Sequence, residues 1–95
     1  MIMRTAQVFI SGFVQGVGFR QYLKRYARKI GVTGWVRNLS DGRVEAIFAG
    51  DQEQIDKLIS FCRKGPFLSE VKSVDVVWEN SKERHDGFEI LETDS

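Results

Sequence analysis

The sequence has few of the features that mark several classes of protein. It contains a single cysteine, Cys62, which excludes an internal disulfide and a cysteine-based zinc cluster. It has no apolar run long enough to span a bilayer, and its first residues, Met1 to Arg4, do not begin a signal peptide. The net charge is only +1, too small to mark a nucleic-acid or anionic-membrane binder. We therefore expect a cytoplasmic protein without such partners.

Length and composition indicate one small domain over residues 1–95. Hydrophobic residues make up 42% of the chain, an ordinary share for a globular protein. A chain of 95 residues suffices for two layers around one core, but not for two domains. No linker, repeat or low-complexity segment divides it.

The most informative stretch is the glycine-rich segment from Gly12 to Arg20. Before it, β-branched and aromatic residues predict a central strand over about 5–13. After it, apolar residues at helical spacing predict a helix from Phe19 to Lys29 or Ile30. A turn of this kind can direct several backbone N–H groups toward one point, where the helix start also carries positive potential.

Two features of this helix start indicate an anion site. No Ser, Thr, Asp or Asn is present to accept hydrogen bonds from its first N–H groups. Arg20 also places a cation where the helix dipole disfavours one, by about 0.3–1 kcal/mol. A bound anion would account for both features. The alternative is a solvated first-turn arginine, next to a turn that contains glycine for steric reasons alone.

The remaining pattern completes the order β-α-β-β-α-β, with a possible extra strand at the end. The further strands are predicted at 33–38, 43–49, 71–78 and 88–90, and the second helix between Asp51 and Gly65. Residues 93–95 are predicted to be frayed. The tryptophans and phenylalanines are interpreted as core residues. The order predicts an α+β, ferredoxin-like split βαβ sandwich, with one antiparallel sheet and two helices on one face.

Two segments contain ordered, closely spaced residues that identify a family. They are Gly12-x-Val14-Gln15-Gly16-Val17-x-Phe19-Arg20 and Gly34-Trp35-Val36-x-Asn38-x-x-Asp41-Gly42-x-Val44-Glu45. Both resemble the signature motifs of the acylphosphatase family, and the likeness covers nearly the whole chain. The resemblance implies a small cytosolic enzyme that hydrolyses the carboxyl–phosphate bond of acyl phosphates.

The resemblance also implies the roles of the site residues. In the family the arginine that closes the first motif binds phosphate, which here is Arg20. The asparagine of the second motif orients the attacking water, which here is Asn38. Backbone amides complete the phosphate site, and here they belong to Gln15, Gly16, Val17, Gly18, Phe19 and Arg20. Leu39 follows Asn38 where many animal members have threonine.

These candidate residues include neither a nucleophile nor a general base. A guanidinium stays charged at any working pH, and a carboxamide does not usefully accept a proton. Phosphoryl transfer depends largely on positioning and electrostatics, and the carboxylate of an acyl phosphate leaves without a general acid. We therefore expect direct attack by water, no metal or other cofactor, and poor hydrolysis of phosphate monoesters.

Two alternatives use the same fold. An RNA-recognition module would need stacking aromatic residues on its central strands, but residues 43–48 carry a carboxylate and no paired aromatics. The second alternative is a non-catalytic phosphate- or carboxylate-binding regulatory domain, as found inside larger members of the family. The presence of both Arg20 and Asn38 favours the enzyme. We expect a monomer, with weak dimerisation through an edge strand or Cys62 left open.

Overall fold

The computed structural model describes residues 3–80 and 83–94. The elements in chain order are β1 (Met3–Phe13), α1 (Phe19–Ile30), β2 (Thr33–Asn38), β3 (Val44–Asp51), α2 (Gln52–Lys64), β4 (Glu70–Glu79) and β5 (Phe88–Ile90). Every predicted helix and strand is present, with ends shifted by no more than two residues. The predicted ferredoxin-like order is therefore confirmed.

The strands form one sheet in the order β4-β1-β3-β2-β5, so β1 is central as predicted. The first four strands pair antiparallel with their neighbours. The short β5 pairs parallel with β2, which makes the whole sheet mixed. The register of the sheet explains why β5 runs parallel to β2. One row across the sheet contains Glu79, Thr5, Ala49 and Thr33, so β4 ends at the same end of the sheet at which β2 begins. A later strand that starts from this end must run in the direction of β2.

The hydrophobic core lies between the sheet and the two helices, which cover one face. Alternate residues of the strands point into it, and each helix contributes an apolar stripe. The largest fully buried side chains include Val8, Ile10, Val36, Val44 and Phe48 from the sheet, and Leu23, Ile55 and Leu58 from the helices. Cys62 is also fully buried here. Packing against this core fixes both helices next to the sheet and so positions the turns at their ends.

The helix ends follow the predicted chemistry. Gln54 donates its backbone N–H to Asp51 Oδ1 at 2.8 Å, and its Oε1 accepts from the Asp51 N–H at 3.0 Å, which forms a capping box. Gly31 ends α1 in the left-handed conformation, with φ 99°, and donates to Ala27 O at 2.8 Å. Only the start of α1 departs from this chemistry, and it belongs to the site described below.

The aromatic residues are not all in the core, so this prediction is wrong in part. Trp78 is 38% exposed on the edge strand β4, and Phe13 and Phe67 are 62% and 98% exposed. Trp35 is half-buried on the helix-free face, where the Arg37 guanidinium lies 5.0 Å from its ring. Strand periodicity shows which residues share a face, but it does not show which face or edge another element covers.

The end of the chain follows β2 beyond β5, so the prediction of a frayed end is wrong for Asp94. Leu91 donates its N–H to Val36 O at 2.9 Å, and Asp94 donates its N–H to Asn38 O at 3.0 Å. Ser95 lies outside the described residues. The backbone of Asn38 is therefore held by the C-terminal segment on one side and by β3 on the other.

Candidate active site

The loop between β1 and α1 turns through two glycines in the left-handed conformation. Gly16 has φ 74° and Gly18 has φ 79°, values that cost other L-residues roughly 1–2 kcal/mol. A β-carbon at either position would meet no atom within 4 Å beyond its chain neighbours. Glycine is therefore needed here for the backbone conformation, and not because space is short.

The start of α1 has no internal cap, as predicted. Its cap residue, Gly18, offers no side-chain acceptor, and the first turn has no acidic residue. Tyr22 donates its N–H to Gly18 O at 3.0 Å. The amides from Gly16 to Gln21 have no acceptor among residues 3–80 and 83–94. Several N–H donors and the positive end of the helix dipole are thus available to an anion.

A pocket of about 160 Å³ opens next to these amides. It is lined by Val14, Gly16, Gly18, Phe19, Arg20, Gln21, Asn38 and Ile90. The two motifs of the sequence therefore meet in one pocket, and Arg20 and Asn38 both reach it. Of the predicted loop residues, Gln15 and Val17 do not line it. The pocket thus combines a cation, free backbone donors and a carboxamide.

Arg20 brings an uncompensated positive charge to this pocket. The guanidinium is half-buried. Ion pairs in the described ranges join Arg37 to Glu45 and to Asp94, and Arg43 to Asp41, and none of them includes Arg20. Charge-assisted hydrogen bonds from a guanidinium are suited to the oxygens of phosphate. Arg20 is therefore free to bind an anionic ligand.

Asn38 brings an acceptor without a protein partner. It is the last residue of β2, faces the helix side together with Val36, and is 8% exposed. Its Oδ1 is buried and has no hydrogen-bond partner in the described part of the chain. An unpaired buried acceptor costs about 1–3 kcal/mol and is rare in native proteins. A side chain kept in this state at a pocket wall is typical of a group that binds a ligand or water.

One contact of the site was not predicted from the sequence. The Gln15 side chain does not line the pocket, and its Nε2 donates to Leu39 O at 2.8 Å and to Arg43 O at 2.9 Å. It thereby joins the glycine loop to the β2–β3 hairpin turn. No local pattern indicates such a contact, because both acceptors are main-chain atoms of a distant segment.

The pocket lining contains no serine, cysteine, histidine or carboxylate. Cys62 lies in the core, where burial raises the pKa of its thiol far above the ordinary value, so the thiolate is disfavoured. No group of three or more His, Cys, Asp or Glu side chains in the described residues could hold a metal ion. The residues present supply positive charge and hydrogen bonds, which is the chemistry of anion binding and electrostatic stabilisation.

The helix-free face of the sheet carries a buried carboxylate near its centre. Glu45, on the central strand β3, is buried and accepts hydrogen bonds from Arg37 Nε and Gln7 Nε2, both at 2.8 Å. The ring of Phe9 is covered by the Arg43 guanidinium at 4.8 Å. A central carboxylate and a ring covered by a guanidinium differ from the stacking aromatics that an RNA-recognition module presents on its central strands. None of the helices described is long and apolar enough to cross a membrane.

The fold and the pocket define a ferredoxin-like α+β protein with a site suited to phosphate. Comparison with known proteins is consistent with this class. The family model Acylphosphatase matches residues 6–90. An acylphosphatase of Roseiflexus sp. (strain RS-1) is 52% identical over 91 residues, which cover 96% of this chain and 98% of that protein. The chain belongs to the acylphosphatase family.

Solved structures agree with this assignment. The crystal structure of acylphosphatase from Bacillus subtilis aligns with a TM-score of 0.90 and 32% identity, over 95% of this chain and 99% of that chain. Full-length HypF in its phosphate- and nucleotide-bound form aligns with a TM-score of 0.89 and 28% identity, over 98% of this chain but 12% of that one. The same fold therefore occurs both as a small protein and as part of a much longer chain.

Proposed function

We propose that the protein hydrolyses the carboxyl–phosphate bond of acyl phosphates to a carboxylate and phosphate, as a monomeric cytoplasmic enzyme that needs no metal or other cofactor. The main support is one juxtaposition: Arg20, the free amides of the α1 start and the unpaired Asn38 Oδ1 meet in a single pocket. Membership of the acylphosphatase family supplies the class of reaction.

The phosphoryl group binds to Arg20 and to backbone amides of residues 15–20 in this proposal. The guanidinium and the amides neutralise charge on the phosphoryl oxygens, which are the atoms that carry it in the transition state. The two left-handed glycines let the loop backbone take this shape without the strain that other residues would bring. The site is thus arranged in advance of binding.

Asn38 orients the water that attacks phosphorus. Its carboxamide can accept one hydrogen bond from the water and donate others, but it does not take up the proton. We assign that proton to an oxygen of the substrate phosphate. As the bond from water oxygen to phosphorus forms, the bond from phosphorus to the carboxyl oxygen breaks, and the electron pair leaves with the carboxylate.

The leaving group explains the substrate class. A carboxylate needs no proton to depart, so the lack of a general acid in the pocket lining does no harm. The alkoxide of a phosphate monoester would need one. We therefore expect acyl phosphates to be hydrolysed and monoesters to be nearly untouched.

The test is hydrolysis of benzoyl phosphate at neutral pH with a chelator present. Arg20→Gln and Asn38→Ala should each lower kcat/KM by about 100-fold or more, because each removes a group that stabilises the transition state. Arg28→Gln and Asn80→Ala are matched controls, because both side chains are exposed outside the pocket lining. Circular dichroism checks that all four variants remain folded.

Two results would contradict the proposal. A wild-type protein that binds phosphate without hydrolysing benzoyl phosphate would support the non-catalytic binding domain, which the likeness to a small part of HypF keeps as the alternative. Comparable rates on benzoyl phosphate and on an alkyl phosphate monoester would contradict the direct mechanism, because an alkoxide leaving group requires a general acid.

A further inference from the structure

On the basis of this proposed function, we propose that Gln15 is a positioning residue. It fixes the position of Asn38 relative to the phosphate-binding loop, residues 15–20. The half-buried Gln15 side chain uses both N–H groups of its amide, one on Leu39 O and the other on Arg43 O. Leu39 directly follows Asn38. A single side chain of the glycine loop is therefore tied to the residue that adjoins the catalytic asparagine.

The two carbonyls that Gln15 binds are the ends of the hairpin turn. Within the turn, Leu39 N–H donates to Arg43 O at 2.8 Å, and Gly42 N–H donates to Leu39 O at 3.2 Å. With Gln15 added, each of these carbonyl oxygens accepts two hydrogen bonds. The turn is thus closed by its own backbone and attached to the loop by the Gln15 amide.

This attachment lies one residue beyond Asn38, where the β2–β3 ladder ends. The pair Asn38–Val44 is the last of the β2–β3 ladder, and the loop from Val14 to Gly18 belongs to no strand. Among the described residues, no other side-chain hydrogen bond joins this loop to the hairpin turn. Pairing with Val44 and Asp94 fixes the Asn38 backbone to the sheet, and Gln15 adds the direct side-chain link between this end of the sheet and the phosphate-binding loop.

Small displacements at such a site have large effects on rate. A misplacement of about 1 Å can cost about 100-fold, because the reacting groups leave their productive geometry. Phosphate binding is less sensitive, because the loss of the Gln15 side-chain amide leaves the Arg20 guanidinium and every backbone N–H of the loop in place. Loss of the Gln15 contacts should therefore lower kcat more than it weakens phosphate binding.

The test compares Gln15→Met, which keeps the chain length and lacks donors, with the wild-type protein. We expect kcat on benzoyl phosphate to fall about 10- to 100-fold, with little change in the inhibition constant of inorganic phosphate. Gln15→Asn, which keeps the amide on a shorter side chain, should shift kcat in the same direction. It serves as the second variant if Gln15→Met folds poorly.

Gln54→Met is the matched control. The Gln54 side chain also joins two elements, since its Nε2 donates to Ile30 O at 3.1 Å and its Oε1 accepts from the Asp51 N–H at 3.0 Å. It does not line the pocket. This variant should lower the melting temperature and leave kcat of the folded enzyme unchanged, which separates lost stability from lost positioning.

A double-mutant cycle with Asn38→Ala decides whether Gln15 acts through Asn38. Gln15→Met should add little to the loss caused by Asn38→Ala if the two residues work together. An equal loss in both backgrounds, an unchanged kcat in Gln15→Met alone, or a raised phosphate inhibition constant would overturn the positioning role. Wild-type activity in Asn38→Ala would instead contradict the proposed function itself, so the two failures are distinguishable.

Discussion

Replacing Asn38 with alanine should remove activity at little cost in stability. None of the described residues donates a hydrogen bond to Asn38 Oδ1, so alanine breaks no hydrogen bond within the protein at this atom. It loses only the packing of a few atoms at the wall of a pocket, worth about 1 kcal/mol at 0.1–0.2 kcal/mol per contact. The free energy of unfolding should therefore fall by no more than about 1 kcal/mol.

The assay is thermal and urea-induced unfolding in a buffer free of phosphate. For a chain of this size, each kcal/mol corresponds to about 4–8 °C in Tm, so a change of this size is measurable. Asp51→Ala is the reference for a broken hydrogen bond, because its carboxylate accepts from the Gln54 N–H at 2.8 Å and its loss should cost about 1 kcal/mol. A fall of about 2 kcal/mol or more in Asn38→Ala, which is the cost of lost packing together with a lost hydrogen bond, would refute the reasoning. It would mean that the Asn38 amide makes a stabilising hydrogen bond in the free protein.

Three further predictions concern the loop, the core and the ligand. Gly18→Ala and Gly87→Ala, at φ 79° and 82° in open space, should each cost about 1–2 kcal/mol in urea unfolding, but only Gly18→Ala should raise the inhibition constant of phosphate. Because burial raises the pKa of the Cys62 thiol, the unfolded chain loses this proton first as pH rises. The thiol should therefore lower the free energy of unfolding by about 1.4 kcal/mol for each pH unit above about pH 9. Urea unfolding of Cys62→Ala should not show this decrease. Phosphate at 100 times its Kd should raise the free energy of unfolding by about 2.7 kcal/mol, and Arg20→Gln should show no such rise at that concentration.

Local patterns in the sequence predicted much of the fold and part of the candidate site. Helical spacing, the Asp51 capping box and the Asp41-Gly42 turn depend on residues within a few positions of one another, so they can be identified without knowing the fold. The uncapped start of α1 and the cation Arg20 are local features too, and they predicted an anion site. The role proposed for Asn38 rests on the family resemblance, since asparagine in a turn is common for other reasons.

Only the tertiary structure decided the features that depend on distant segments. The parallel pairing of β5, the exposure of Trp78 and the pairing of Asp94 follow from which strand edges remain open after the sheet has formed. The unpaired state of Asn38 Oδ1 and the two acceptors of Gln15 depend on the loop and the hairpin turn meeting at one end of the sheet. Backbone carbonyls carry no sequence signal of their own, so a side chain bound to them across the fold cannot be identified from its residue type alone.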